Sequence, residues 1–274
     1  MHLQVQYKNS IIAYRVYGAG LQPVICLHGY GEQADSFAFL ENYAADLFTF
    51  YSIDLPFHGY TQWKEGLHFT TLDLKEIVIA ILATAKSSLH TSTNSTVLLG
   101  YSLGGRMALS LYQQMPASIN KIVLLAPDGL IVNKWYWLAT QTWLGNKLFA
   151  FTMQKPGWIL GLLHLMNRFS LINASIYKFV KFYISDKQVR EQLYNRWTAL
   201  RKIKPNLSRI KKAIVTHHTP TRLLYGKHDR IILSCNGEKF IKGIEDNCKL
   251  TVIDAGHGVL GERYVGEVAK CLFL

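Results

Sequence analysis

The motif that decides the fold of this chain reads Gly100-Tyr101-Ser102-Leu103-Gly104-Gly105. An apolar run at Thr96–Leu99 precedes it and a helical pattern over Arg106–Met115 follows it, which predicts a turn between a strand and a helix. Glycines on both sides of Ser102 let strand and helix approach closely, and such a turn exposes the serine hydroxyl. The N-terminus of the following helix also directs N–H groups and a positive dipole end toward that serine. The motif therefore predicts a nucleophilic serine, although a glycine-rich turn without chemistry fits the same pattern.

Length and composition indicate a globular chain. With 274 residues, of which 49% are hydrophobic, it can form one large domain or a domain with an insertion. The first thirty residues lack a basic start followed by an apolar core, so we expect no secretory signal. The four cysteines have neither paired nor ligand-like spacing. We therefore expect a cytoplasmic protein with reduced cysteines.

The excess of positive over negative charge lies in one segment. The formal net charge is +12, and residues 128–219 hold 15 Lys and Arg against 3 Asp and Glu. The rest of the chain holds 15 of each sign, so its net charge is zero. This contrast marks a compositional boundary within the chain.

Outside that segment, short apolar runs alternate with helical patterns, which predicts an α/β fold with a mostly parallel sheet covered on both faces. The first two runs predict an antiparallel hairpin at the sheet edge. The candidate strands are His2–Tyr7, Ile11–Tyr17, Val24–Leu27, Phe48–Ile53, Thr96–Leu99, Lys121–Leu125, Thr221–Tyr225 and Lys249–Ile253. The candidate helices are Ser36–Ala45, Thr71–Ser87, Arg106–Met115, Asn236–Ile244 and Arg263–Leu274.

The segment 128–215 has helical patterns and many aromatic residues, and its sequence contains no clear strand. Its candidate helices are Lys134–Trp143, Trp158–Phe169, Ile172–Tyr183, Asp186–Leu200 and Leu207–Val215. We predict a helical insertion here, between core segments 1–127 and 216–274. Ligands of open α/β sheets bind at the carboxyl edge, so we expect this insertion to cover that edge.

A nucleophilic serine needs a base, and the base needs an orienting acid. His257 follows the last predicted strand between two glycines, which favours it as the base. Asp229 follows the preceding predicted strand and is the favoured acid. Asp128 is the rival acid, and Asp254 is a third choice that lies close to His257 in sequence.

Two backbone N–H groups are candidates for stabilising an oxyanion. The first belongs to Leu103, which directly follows the serine, and the second to Tyr30, in a glycine-containing loop after the third predicted strand. His28, at the start of that loop, is expected to hold it by hydrogen bonds rather than to act as a base.

The order Ser102, Asp229, His257, with an oxyanion loop upstream, resembles the α/β-hydrolase superfamily, in its serine-nucleophile, capped carboxylesterase or lipase-like branch. Further matches are His28-Gly29, the loop Asp54–Gly59, Gly226-x-x-Asp229 and Gly256-His257, so the resemblance covers nearly all of the chain except the insertion. It implies an eight-stranded, mostly parallel sheet with a helical cap after the sixth strand. Ser102 stands where dehalogenases and epoxide hydrolases of this superfamily carry aspartate, which argues against those reactions. Phe57 is a departure, because many relatives have a small residue there, often glycine.

The resemblance implies hydrolysis of a carboxylic ester, or of a thioester, through an acyl-enzyme, with no metal or organic cofactor. The aromatic insertion favours an apolar acyl substrate. The motif continued to Arg106 also resembles a pyruvate-eliminating lyase of the menaquinone pathway, in which the matching arginine binds a substrate carboxylate. Alternatively, Arg106 only forms an ion pair on the surface. A non-catalytic binding or receptor-like relative of the same fold is an alternative of another class.

The basic, aromatic insertion has two interpretations as a surface. It is either a solvated basic face over a helical core, or a site that attracts an anionic partner, an acyl-carrier ester or a membrane surface. We expect a small-molecule or acyl-carrier substrate and no nucleic acid.

Overall fold

The computed structural model describes residues 2–86, 96–131 and 133–274. Its strands are β1 (Leu3–Tyr7), β2 (Ser10–Tyr17), β3 (Gln22–Leu27), β4 (Phe48–Ile53), β5 (Thr96–Tyr101), β6 (Ile119–Leu125), β7 (Thr221–Gly226) and β8 (Cys248–Ile253). The described α-helices are α1 (Glu41–Ala44), α2 (Thr71–Lys86), α3 (Leu103–Gln114), α4 (Lys134–Gln141), α5 (Trp143–Gln154), α6 (Gly157–Arg168), α7 (Ala174–Ser185), α8 (Lys187–Ala199), α9 (Leu207–Thr216), α10 (Ser234–Ile241) and α11 (Val265–Phe273).

The strands form one eight-stranded sheet in the order β1-β2-β4-β3-β5-β6-β7-β8. β1 and β2 form an antiparallel hairpin, β2 runs antiparallel to β4, and the remaining neighbours are parallel. This confirms the predicted fold class and all eight strands, whose ends differ from the prediction by at most two residues. β4 and β5 are buried along their whole length, as expected for apolar strands covered on both faces.

The parallel register brings the carboxyl ends of β5, β6, β7 and β8 to the same edge of the sheet. Gly100 of β5 is aligned with Leu124 of β6, and Gly226 of β7 is aligned with Ile253 of β8. The residues that follow these strands therefore emerge side by side.

The chain divides into two compact units. The first contains Met1–Glu65, Phe69–Ile131 and Lys202–Leu274, and the second contains Gly66–His68 and Val132–Arg201. The predicted insertion 128–215 is longer than this second unit, because α9 belongs to the first. Ile210 and Ile214 of α9 are buried, and the helix packs against α3.

The second unit contains α4, α5, α6, α7 and α8. Its core consists of Met153, Leu163 and Ile184, which lie on three different helices. The buried guanidinium of Arg190 donates hydrogen bonds to the carbonyl of Met153, at the end of α5, and to that of Ile184, at the end of α7, at 3.0 and 2.6 Å. Carbonyls at helix C-termini stabilise a cation, so this arginine joins the two helix ends. The expectation that this segment covers the sheet edge stays a prediction.

Two helices differ from the prediction: the helix expected over Ser36–Ala45 is a 3₁₀ helix over Ala34–Leu40 followed by the short α1, and α5 was missed. The helix expected over Lys134–Trp143 corresponds to α4, and Thr142 separates it from α5, for which no helix was expected. The Thr142 hydroxyl accepts a hydrogen bond from the Gly145 amide and caps α5. The predicted end of α2 at Ser87 lies outside the described residues. Within the described part of the chain, each helix is too short or too polar to cross a membrane.

Candidate active site

The predicted nucleophile occupies a sharp turn between β5 and α3. Ser102 has φ 49° and ψ −115°, a conformation that few non-glycine residues adopt. Backbone hydrogen bonds hold it there: its amide donates to the Leu125 carbonyl at 2.9 Å, and its carbonyl accepts from the amides of Gly105 and Asp128 at 2.9 and 2.8 Å. The surrounding strands therefore maintain the strained turn.

The two outer glycines of the Gly-x-Ser-x-Gly motif are required by close backbone approaches. A Cβ atom at Gly100 would lie 2.5 Å from the Gly104 carbonyl oxygen. A Cβ atom at Gly104 would overlap the carbonyl of Leu27, at the end of β3. Glycine thus allows β3, β5 and α3 to meet directly beneath Ser102.

A hydrogen-bonded chain joins the three residues predicted to form the triad. The Ser102 Oγ lies 3.0 Å from His257 Nε2, and His257 Nδ1 lies 2.7 Å from Asp229 Oδ2. Because the carboxylate can only accept, Nδ1 carries the proton and Nε2 is the acceptor for the serine hydroxyl. The imidazole is thus in the tautomer that a general base requires.

The surroundings of Asp229 explain how a carboxylate is held there. Its side chain is fully buried, and its Oδ1 accepts hydrogen bonds from the amides of Ile231 and Ile232 at 2.7 and 2.9 Å. Both carboxylate oxygens therefore have donors, which offsets the cost of burying the charge. The side chain of His257 is 19% exposed and remains accessible to a substrate.

The other two candidate acids have different partners. Asp128 Oδ2 lies 3.4 Å from Arg106 Nε, and its Oδ1 accepts from the Gly129 amide. Asp254 Oδ1 lies 2.7 Å from His228 Nε2. Asp229 is thus the candidate that the structure brings to His257.

Arg106 is a buried residue on α3 that forms an ion pair with Asp128. A Cβ atom at Gly129 would contact the Arg106 side chain, so the arginine also packs against the loop after β6. Of the two interpretations from sequence, this geometry favours the ion pair, but Arg106 is buried and the expected surface location was wrong.

The two candidate oxyanion donors lie on different elements. Leu103 is the first residue of α3, where amides have no partner within the helix. Tyr30 lies in the loop after β3, in a turn closed by a hydrogen bond from the Glu32 amide to the Gly29 carbonyl at 3.3 Å. The Glu32 Oε2 accepts in return from the Gly29 amide at 3.3 Å.

His28 supports this loop from within the core. The Leu55 amide donates to His28 Nε2 at 3.1 Å, so the proton lies on Nδ1, which donates to the Gly29 carbonyl at 2.8 Å. Both ring nitrogens are occupied by backbone groups, which agrees with the expected supporting role.

Two residues around His257 were not singled out from the sequence. The Tyr101 hydroxyl donates to the His257 carbonyl at 3.2 Å, and its ring also packs against Gly29. Burial raises the pKa of the Glu32 carboxyl, although hydrogen bonds from Gly29 and Ser36 and the charge of His257 act in the opposite direction. Tyr101 directly precedes Ser102 in sequence, and this position is the one feature of the sequence that could have pointed to it.

The loop after β4 explains the departure at Phe57. This residue has φ 64°, in the left-handed region where glycine is favoured, and relatives with glycine there avoid that strain. Asp54 holds the loop, because its buried carboxylate accepts from the amides of Ala34 and Tyr60 at 2.6 and 2.8 Å. Burial raises the pKa of Asp54, and these hydrogen bonds oppose the increase.

Within residues 2–86, 96–131 and 133–274, no group of three or more His, Cys, Asp or Glu side chains is arranged to hold a metal ion.

Comparisons with known proteins agree with this architecture. An uncharacterized hydrolase of Bacillus subtilis (strain 168), YugF, is 25% identical over 255 residues, which cover 89% of this chain and 86% of that protein. The pimeloyl-[acyl-carrier protein] methyl ester esterase of Nitrosospira multiformis is 26% identical over 137 residues, 48% of each chain. A thermophilic esterase from Thermogutta terrifontis has the same fold, with a TM-score of 0.69 and 17% identity over 99% of this chain and 98% of that one.

The family match covers most of the sequence and confirms the superfamily predicted from the motifs. The sequence profile described as "Serine aminopeptidase, S33" matches residues 21–264, which include the nucleophile turn, Asp229 and His257. The chain therefore belongs to this family of α/β-hydrolases.

Proposed function

We propose that this hydrolase cleaves a carboxylic ester through a covalent acyl-enzyme on Ser102. The observation that carries the proposal is the hydrogen-bonded chain from Ser102 through His257 to the buried Asp229, with contacts of 3.0 and 2.7 Å. The esterase names among its relatives support the same class of bond.

In the first half-reaction His257 Nε2 takes the Ser102 proton while Oγ attacks the ester carbonyl carbon. The carbonyl oxygen becomes an oxyanion, which the N–H groups of Tyr30 and Leu103 stabilise. Asp229 stabilises the imidazolium. His257 then donates the proton to the leaving alkoxide, the ester C–O bond breaks, and the acyl group remains on Ser102.

In the second half-reaction a water molecule replaces the alcohol. His257 Nε2 takes a proton from the water, whose oxygen attacks the acyl carbon and forms a second oxyanion. Collapse of this intermediate breaks the bond to Ser102 Oγ, and His257 returns the proton to the serine. The products are an alcohol and a carboxylic acid.

We propose an apolar acyl group as the substrate. A cavity of about 390 Å³ in the first unit has mainly apolar walls, and it is lined by Leu130, Ile131, Leu207, Ser208, Lys211, Asn236, Lys239 and Phe240. Pockets of this size and character accommodate small ligands. Neither Ser102 nor His257 lines this cavity, and its link to the nucleophile is the loop after β6, in which Leu130 lines the cavity and the Asp128 amide donates to the Ser102 carbonyl.

A labelling experiment tests the catalytic proposal. A fluorophosphonate probe should label the wild-type protein and the Ser234→Ala control, and should fail to label Ser102→Ala. Turnover of p-nitrophenyl esters should follow the same pattern. Labelling or turnover that persists in Ser102→Ala would exclude the proposed mechanism, and a wild type without either would favour the binding-protein alternative.

A series of acetyl, butyryl and octanoyl esters tests the substrate class. We expect kcat/KM to rise with chain length, and Ile131→Trp to reduce turnover of the octanoyl ester more than that of the acetyl ester. An equal effect on both esters would contradict acyl binding in the cavity. The lyase alternative predicts release of pyruvate from its pathway substrate and loss of that activity in Arg106→Ala. The Arg106–Asp128 ion pair gives that alternative no support.

A further inference from the structure

Helix α5 presents an apolar stripe to solvent. Trp143 and Leu144 are 72% and 71% exposed, and Leu148 and Phe151 continue the stripe at helical spacing. A soluble helix usually turns such residues inward and exposes its polar face. Here both faces are apolar, because Phe149 and Met153 on the other side belong to the core of the second unit.

Helix α6 repeats the arrangement. Trp158, Leu162, Leu165 and Phe169 are exposed and recur every three or four residues along one side of the helix. Ile159, Leu160 and Leu163 pack into the core of the same unit. Since single exposed apolar residues are ordinary but aligned runs are not, these two stripes indicate an interaction surface.

Only positive charges accompany the stripes. The sequence from 129 to 185 contains no Asp or Glu, and it contains six Lys and Arg. Lys147 lies within the α5 stripe, with its ammonium 3.9 Å from the centre of the Trp143 ring, and Lys155 follows at the turn into α6. Each stripe is therefore apolar, begins with a tryptophan and has a lysine within it or just before it.

We propose that the stripes of α5 and α6 dock this protein on an anionic lipid membrane surface. Tryptophan, leucine and phenylalanine bind at the boundary between headgroups and acyl chains, and neighbouring lysines are attracted to acidic headgroups. A second copy of the chain fits this surface less well, because a symmetric contact would bring the same positive charges together. The inference is independent of the chemistry at Ser102.

The test is flotation of the purified full chain with lipid vesicles. Phosphatidylcholine vesicles that contain about one third phosphatidylglycerol should float with bound protein. With pure phosphatidylcholine vesicles the floating fraction of the protein should be at least about tenfold smaller. Raising the salt concentration from about 0.1 M to about 1 M should weaken binding, because screening removes the electrostatic part. The Ser102→Ala protein should float as the wild type does.

Matched variants distinguish binding through the stripes from nonspecific hydrophobic adsorption and from an effect of the overall net charge. Trp143→Ser with Leu148→Ser should reduce binding about tenfold or more, whereas Leu21→Ser with Leu47→Ser, two exposed leucines of the first unit, should not. Lys147→Glu with Lys155→Glu should abolish flotation, whereas Lys242→Glu with Lys249→Glu changes the net charge equally and should leave flotation intact. Circular dichroism should show the same helix content in all four proteins.

Three results would overturn the proposal. The first is no flotation of the wild type, and the second is equal loss in the stripe and control variants. The third is a wild type that does not bind vesicles but sediments as a dimer, or together with an acidic protein, while the stripe variants no longer form that complex. That result would assign the surface to a protein partner. Turnover of soluble esters is measured separately, so failure of the docking proposal leaves the proposed hydrolase activity untouched, and the reverse also holds.

Discussion

His257 and Asp229 share a 2.7 Å hydrogen bond that joins a partly exposed imidazole to a fully buried carboxylate. The Asp229 carboxylate is held by two backbone amides on its other oxygen, so its position does not depend on the histidine. Gly226 lies close to the Gly256 carbonyl, so the loops after β7 and β8 approach each other closely near this pair. Backbone amides thus hold the Asp229 carboxylate, which in turn accepts a hydrogen bond from the His257 ring.

This geometry predicts that Asp229→Asn lowers kcat for ester hydrolysis by about 10³–10⁴-fold with little change in KM, because the amide favours the wrong imidazole tautomer. Asp128→Asn is the matched control, since it alters another carboxylate at a strand end, and it should retain activity within about tenfold. Steady-state kinetics on one p-nitrophenyl ester measure both. Equal losses in the two variants would contradict the assignment of the acid.

The catalytic candidates could be predicted from the sequence because their positions follow from topology. Ser102, Asp229 and His257 each come just after a predicted parallel strand, and the ends of such strands share one edge of the sheet. Local glycines then indicated which residue of each loop was favoured. The rivals Asp128 and Asp254 passed the same criterion, and only the three-dimensional contacts separated them.

The rest of the site depends on interactions that no local pattern encodes. Glu32 and Tyr101 acquire their roles through contacts with Gly29 and His257 that depend on loop conformation. Helix α5 escaped prediction because apolar residues on both of its faces remove the periodicity on which helix prediction relies.

Glu32 is predicted to be a positioning residue for the oxyanion loop. Its carboxylate accepts from the Gly29 amide, one residue before the proposed donor Tyr30. Glu32→Ala should lower kcat by about tenfold or more, because a misplaced donor loses much of its transition-state stabilisation. Glu32→Gln keeps an acceptor and should recover part of the loss, which the kcat of the two variants will measure. If both variants keep the wild-type kcat and raise KM to the same extent, Glu32 acts on substrate binding instead.

Gly104→Ala should destabilise the first unit, because the added methyl group would overlap the Leu27 carbonyl, which belongs to the central sheet. We expect the free energy of unfolding in urea to fall by about 2–3 kcal/mol. Gly266→Ala, in α11, meets open space and should be neutral or stabilising by about 0.5 kcal/mol. A Gly104→Ala protein as stable as the wild type would show that the close approach of β3 and α3 can relax.

The edge hairpin should make stability depend on pH through Asp73. Its carboxylate accepts hydrogen bonds from Tyr7 Oη and Lys8 Nζ, both at 2.7 Å, and from the Thr70 amide at 2.8 Å. Burial alone would raise the pKa of Asp73, but the hydrogen bonds from Lys8, Thr70 and Tyr7 outweigh it and lower the pKa from 3.8 to about 2. That decrease corresponds to roughly 2 kcal/mol of stability.

Because the pKa is lower in the folded than in the unfolded state, this stabilisation is complete above about pH 5 and is lost as the pH falls toward 2. Asp73→Asn should therefore lower the free energy of unfolding by roughly 2 kcal/mol at pH 7, and the difference from wild type should shrink at pH 3. The exposed Asp46→Asn is the control and should shift stability by less than about 0.5 kcal/mol at either pH. Urea titrations of the three proteins at both pH values measure these differences. A difference between wild type and Asp73→Asn that is equal at pH 3 and pH 7 would assign the loss to packing of the hairpin against α2 rather than to the charge of Asp73.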